Sequence, residues 1–187
     1  LAAVDVDDCA LIDLYSCFPV AVQVAQREIG VGTDRTWTIT GGLTFAAGPM
    51  NCYCILPLAR AIELLRATPD QRALLTGNGG WFTKHSALVL AGAPAAEGFR
   101  SVSPQAEIDA LPSRPTPASS AGAGTLETAT VIYDRGRRPE RAILAVLDDD
   151  GGRHWAESTD TDTIDELLTS DACGRPVHLD GTTAHLP

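Results

Sequence analysis

The chain has 187 residues, of which 44% are hydrophobic, and it carries 24 acidic against 14 basic side chains, a net charge of −10. That is enough chain for one good core and a smaller second one. The charge argues against a general nucleic-acid binder, because neutralising phosphates needs clustered Lys and Arg.

No run of 18 or more apolar residues occurs, and Leu1-Ala2-Ala3-Val4-Asp5 has no basic region followed by an apolar stretch, so neither a membrane span nor a signal peptide is expected. The lack of an initiator Met at position 1 reads as a processed or truncated product. Five cysteines, an odd number at irregular spacing, fit a cytosolic, reduced protein. Cys52 and Cys54 lack the second ligand pair of a zinc site, and His85, His154, His178 and His185 are scattered, so no metal is assigned.

After an acidic patch, Asp5 to Asp8, the apolar run Cys9 to Leu14 reads as a buried strand ending at Tyr15-Ser16-Cys17-Phe18. Pro19 suits the first turn of a helix that places Val20 and Val24 opposite Gln23 and Arg27 and stops at Gly30. Trp37-Thr38-Ile39 reads as a short strand. It enters a glycine-bounded loop, Thr40 to Asn51, that carries Gly41, Gly42 and Gly48-Pro49, with Asn51 as a helix cap. Such a loop can turn main-chain N–H groups towards an oxyanion or a phosphate. The helix that follows carries Ile55, Leu58, Ala59, Ile62 and Leu65 on one face, with Pro57 expected to kink its first turns.

Arg72 to Thr76 and Ser86 to Ala91 read as strands, joined through Gly77-Asn78-Gly79-Gly80, which has the composition of a hairpin turn. From Gly92 the chain becomes rich in Pro, Ala, Ser and Gly, and residues 101–124 are read as a linker between a first domain, 1–100, and a second, 125–187. The second begins with the period-two run Thr125 to Tyr133, followed by strands at Ala142 to Leu147 and His154 to Ala156. A helix is expected from Thr161 to Leu168, capped by Asp160 or Thr161, and a last strand from Arg175 to Leu179. Three meandering strands, a helix and a further strand predict a small, partly open β-barrel of the OB type. Its roughly seven net negative charges make nucleic acid a poor ligand for it.

Three stretches, Asp13-Leu14-Tyr15-Ser16-Cys17-Phe18, Gly41 to Pro49, and Thr76 to Gly80, resemble in order and spacing the motifs of the C-terminal half of a thiolase. The second domain resembles the extra C-terminal domain of an actinobacterial thiolase-like group. The resemblance implies an α/β fold, a mixed sheet with helices, plus the OB-like barrel. It also implies an acetyl-CoA acetyltransferase-like acyltransferase of lipid metabolism that acts on CoA thioesters when complete. Acyl-CoA or CoA would then be substrate, and no separate cofactor is expected.

Carried over motif by motif, the resemblance assigns Tyr15, Ser16, Gly41, Gly42, Gly48, Gly79 and Gly80 to CoA or substrate binding. It puts Gly48 where the family has its activating His, and Thr76, or Leu75, where it has a second Cys. The nucleophile belongs to the N-terminal half, which this chain does not contain. The standard catalytic set is therefore missing, and the chain alone is expected to be silent. His85, with Asn78, Thr76 and Lys84, is the candidate for a substitute polar cluster, and Cys17 is expected to be buried and inert. The helices from Val20 to Ile29 and Ile55 to Leu65 are expected to need cover from a missing N-terminal half, another copy or another chain. The rival reading is a non-catalytic partner module that binds another protein.

Overall fold

The computed structural model describes residues 4–30, 32, 34–48, 50–96, 98–115, 117 and 121–187. It is a mixed α/β structure whose chain divides into two compact units, Leu1–Ala106 and Glu107–Pro187. Among the described residues no helix is long and apolar enough to cross a membrane.

The first unit is built on a three-stranded sheet in the order β1-β2-β3, formed by Leu11–Asp13, Arg72–Gly79 and Trp81–Ala91. β1 pairs parallel to β2, with Leu11 opposite Ala73, and β2 pairs antiparallel to β3. Alternate residues of a strand face opposite sides of its sheet, and β2 uses both sides. Ala73 and Leu75 pack with Ala61 and Leu65 of helix α3 (Ile55–Ala67). Leu74 joins Ile12 and Leu14 against Val22, Ala25 and Ile29 of helix α1 (Pro19–Ile29). The two helices therefore cover opposite faces of one thin sheet.

Helix α1 follows its sequence signals closely. Pro19 opens it, where no intrahelical N–H is required, and Gly30 at φ +75° closes it by donating its N–H to the carbonyls of Gln26 and Arg27. Helix α3 departs from the expectation. It starts at Ile55 rather than after Asn51, and Cys54 stands at its N-cap with no side-chain cap bond. A separate four-residue helix, α2 (Leu43–Ala46), sits inside the glycine loop. Pro57 does not interrupt α3, because the third helical residue has no carbonyl four residues back to bond within the helix.

Trp37-Thr38-Ile39 is not a strand. It is tied to the end of β1 through side-chain bonds to Asp13, and the Leu14 N–H just beyond donates to the Trp37 carbonyl at 3.0 Å. The Gly77–Gly80 stretch is not all turn either, since β2 runs on to Gly79 with a register shift after Asn78, and the reversal falls at Gly80, φ +83°. Both helices keep exposed apolar side chains, Val20 on α1 and Ile55, Leu56 and Ile62 on α3.

The second unit is a closed five-stranded barrel. Its strands are β4 (Ala121–Tyr133), β5 (Pro139–Leu147), β6 (Arg153–Ser158), β7 (Pro176–Asp180) and β8 (Thr183–His185), in the order β4-β5-β6-β8-β7. β6 and β8 are parallel and the other pairs antiparallel, which is the OB arrangement. Two short pieces fall inside the expected linker: helix α4 (Gln105–Asp109) and the first four residues of β4. The last of those four β4 residues has to be glycine. A Cβ at Gly124 would lie 2.6 Å from Val146 Cγ1 and 2.7 Å from the Leu147 oxygen.

Helix α5 (Thr161–Thr169) is capped by Asp160, whose carboxylate accepts the Thr163 N–H at 2.9 Å. Leu126, Leu144, Val146, Ile164, Val177 and Leu179 fill the barrel. Leu144 is fully buried. Leu144→Ala is expected to lower the barrel's stability by about 2–5 kcal/mol and Asp160→Ala by about 1 kcal/mol, measured by urea denaturation.

Candidate functional site

The site is held by a carboxylate. Asp13 ends β1 with no exposed surface, and a charge taken out of water must have its lone pairs filled. Four donors fill them. Oδ2 accepts Thr38 Oγ1 (2.9 Å), the Ile39 N–H (3.0 Å) and Thr40 Oγ1 (3.1 Å), and Oδ1 accepts the buried Tyr53 hydroxyl at 2.8 Å. Residues 38–40 and the start of α3 are thereby fixed to the end of β1.

From this clamp the three motif stretches converge. The Tyr53 ring meets Tyr15 edge-on, with centroids 5.5 Å apart. Ser16 Oγ accepts the Leu43 N–H at 2.9 Å and fixes the entry to α2. Gly42, at φ +74°, is required there, because a Cβ would lie 2.7 Å from Ser16 Oγ. Gly48 is packed just as closely, since a Cβ would meet Leu43 Cδ2 at 2.8 Å. On the other side, Thr76 Oγ1 accepts the Tyr15 N–H at 2.9 Å, and Asn78 Nδ2 points at Cys17 Sγ from 3.8 Å. Gly77 leaves room for the Cys54 and Ser86 side chains, each of which a Cβ would meet at 3.0 Å.

Of the residues expected from the sequence, Tyr15, Ser16, Gly41, Gly42, Gly48, Thr76 and Asn78 are gathered around the ends of β1 and the middle of β2. Gly79, Gly80, Lys84 and His85 lie towards the tip of the β2–β3 hairpin. His85 is opposite Asn78 in register, but its ring turns to Phe82, hydrogen-bonding that residue's carbonyl and meeting its ring edge-on at 5.3 Å. The expected polar cluster of Thr76, Asn78 and His85 is therefore split, because the Phe82 contact satisfies the imidazole locally. Cys17, expected to be buried, is exposed, since the chain leaves the sheet after Leu14.

Sequence reasoning missed Asp13, Tyr53 and Cys54. A carboxylate inside an otherwise apolar run was the available signal for the first. An aromatic directly before a helix was the signal for the second.

The electrostatics do not favour a thiolate at Cys54. Burial pushes the Cys54 thiol up. It also pushes up the Tyr15 phenol, to which the neighbouring Cys54 and Cys17 add. A thiolate nucleophile needs a nearby cation or base to lower its pKa, and Cys54 has the opposite environment. Among the described residues no group of three or more His, Cys, Asp or Glu could hold a metal ion.

Burial, and after it the hydrogen bond and charge of Asp13, also raises the Tyr53 phenol, partly offset by Thr40 and Ser16. A raised folded value means that the native state holds the phenolic proton more tightly than the unfolded chain. The contribution is complete below the unfolded value of about 10 and is lost as pH rises through the folded one. Alkaline unfolding is therefore expected to steepen above about pH 10, and Tyr53→Phe to flatten that limb at a cost of about 1–2 kcal/mol near neutrality, read from urea midpoints across pH. Asp13→Ala is expected to cost about 3 kcal/mol or more, measured in the same way.

Comparisons with known proteins agree with this architecture. Residues 104–182 match the family model described as the thiolase-like protein type 1 additional C-terminal domain. A solved structure, of a monomeric SCP2-thiolase-like protein type 1 from Mycobacterium smegmatis, superposes with a TM-score of 0.84 at 35% identity and covers 98% of this chain. The chain spans 42% of that protein's length. A search of curated proteins found no match.

Proposed function

Given that this chain belongs to the thiolase-like superfamily, we propose that the surface where Tyr15–Cys17, the Gly41–Gly48 loop and Thr76–Asn78 meet receives the thioester end of an acyl-CoA. It binds the thioester without turning it over. The observation that carries this reading is the set of bonds joining the three stretches, Ser16 Oγ to the Leu43 N–H and Thr76 Oγ1 to the Tyr15 N–H. They hold a polar surface in place while supplying no proton-transfer group.

Acyl transfer through a thiol requires a base to activate it and an acid for the leaving group. Gly48 fills the loop position where a base is expected, His85 is bonded to Phe82, and burial keeps Cys54 in its thiol form. The Asn78 amide remains as a donor for a thioester oxygen, beside Cys17.

The exposed Ile55, Leu56 and Ile62 on α3 support a second element of the proposal, that further thiolase-like structure covers this helix. The solved relative is described as monomeric and is more than twice as long as this chain. That favours cover from within one longer chain over cover by a second copy.

The deciding experiment is calorimetry with CoA and acetyl-CoA on this chain and on a longer protein containing it. Binding by the longer form, weakened about tenfold by Asn78→Ala and accompanied by no turnover of acetoacetyl-CoA, is the expected result. Lack of binding by both forms would remove the acyl-CoA reading and leave the partner-module alternative. Turnover that survives in the longer form would show that catalytic groups come from outside this segment.

A further inference from the structure

Strand β4 pairs with β7 over its first part and with β5 over the rest, the two ladders overlapping at Thr125. Ala121–Thr125 pair with β7, and the ladder ends where the Leu126 N–H donates to the Arg175 carbonyl (2.8 Å) and the Leu126 carbonyl accepts the Gly174 N–H (2.7 Å). From Thr128 to Tyr133 the strand pairs with β5 alone. Every second residue of an antiparallel strand turns both its N–H and its C=O away from a given neighbour. Along this stretch those outward groups have no protein partner among the described residues.

A cavity of about 380 Å³ runs beside the open edge, with β4 on one side and Leu167, Leu168 and Ser170–Cys173 on the other. Open edges are ordinarily blunted by Lys, Pro or an inward charge. Thr128-Ala129-Thr130-Val131-Ile132-Tyr133 carries none of these. It consists almost wholly of the β-branched and aromatic residues best suited to strand pairing. One register shift, at Glu127, lies before the open stretch and a second, between Ile132 and Tyr133, lies at its far end, so Thr128 to Ile132 runs without interruption.

We propose that this edge binds an extended peptide segment of a partner protein, which adds an antiparallel strand to β4 and places an apolar side chain in the cavity against Leu167 and Leu168. Only an extended backbone offers donors and acceptors at the spacing of the open edge, and side-chain pockets beside such an edge supply selectivity. Charge sets the direction. Asp171 is on the cavity wall that runs into Gly174, which is bonded to Leu126, and the turn beyond Tyr133 carries Arg135 and Arg137 besides Arg138, which is paired with Asp134. An antiparallel peptide therefore has its basic residue at the C-terminal end and its acidic residue at the N-terminal end. The acidic balance of the barrel segment repels a second copy of this chain and leaves the site to a partner. This inference concerns the barrel and stands apart from the acyl-CoA reading.

The test titrates the 187-residue chain with acetyl-EVTVTVK-amide, the reversed peptide acetyl-KVTVTVE-amide, and the first peptide N-methylated at alternate amides, followed by backbone amide NMR. The expected result is a saturable shift confined to Thr128–Tyr133 and the Ser170–Cys173 wall. Affinity should be about tenfold lower for the reversed peptide, and binding should be lost on N-methylation along one alternate set of amides. Thr130→Lys, at an exposed position, should weaken binding by about tenfold while leaving the remaining spectrum unchanged. No saturable shift with either peptide, binding indifferent to N-methylation, or edge amides that shift with protein concentration alone would each overturn the proposal, the last by showing self-pairing instead.

Discussion

A carboxylate removed from water dictates the geometry of the first unit. Asp13 lies at the end of a three-residue strand with no exposed surface, so the surrounding chain must bring it donors or lose the strand end. All four donors come from residues 38–40 and from Tyr53. These bonds anchor the entry to the glycine loop on the sheet, and Gly42 and Gly48 then give the loop the room its path requires. Tyr53 passes the constraint on. It stands against Tyr15 and precedes the cysteine that opens α3, so the strand end, the loop and the helix start move as one body.

Where the three stretches meet, the polar atoms are largely engaged in holding them together, Ser16 Oγ with the Leu43 N–H and Thr76 Oγ1 with the Tyr15 N–H. Burial pushes the Cys54 thiol and the Tyr15 phenol up, and the His85 ring is bonded to Phe82. On the proposed acyl-CoA reading, that balance suits binding of a thioester better than chemistry upon it.

Much of this organisation could be read from residue order. Gly30 and Asp160 end and begin their helices as their conformational preferences require, and the period-two pattern from Thr125 to Tyr133 marks the long barrel strand. What could not be read depended on distant partners. Asp13 looks like an interruption in an apolar run until Tyr53 and Thr38–Thr40 are brought to it. Ala121 to Gly124 have the composition of a flexible tether, yet the missing side chain at Gly124 is what lets β4 lie against Val146 and Leu147. His85 was attractive because the sequence places it near a loop, but a residue near the tip of a hairpin can be satisfied by its own arm, as Phe82 does here. Cys17 gave no local sign of exposure, since that depends on where the chain departs from the sheet.

The parallel pairing of β1 with β2 also has a kinetic meaning. Leu11 meets Ala73 only after the intervening chain has been folded back, a closure of the kind that dominates folding barriers in structures with distant contacts. The donors to Asp13 have no fixed target until that closure is made. Helices α1 and α3 can form early from local signals, whereas the loop between them waits for the sheet. The loop that brings Gly42 to Ser16 is thus expected to be the last part of its unit to take shape.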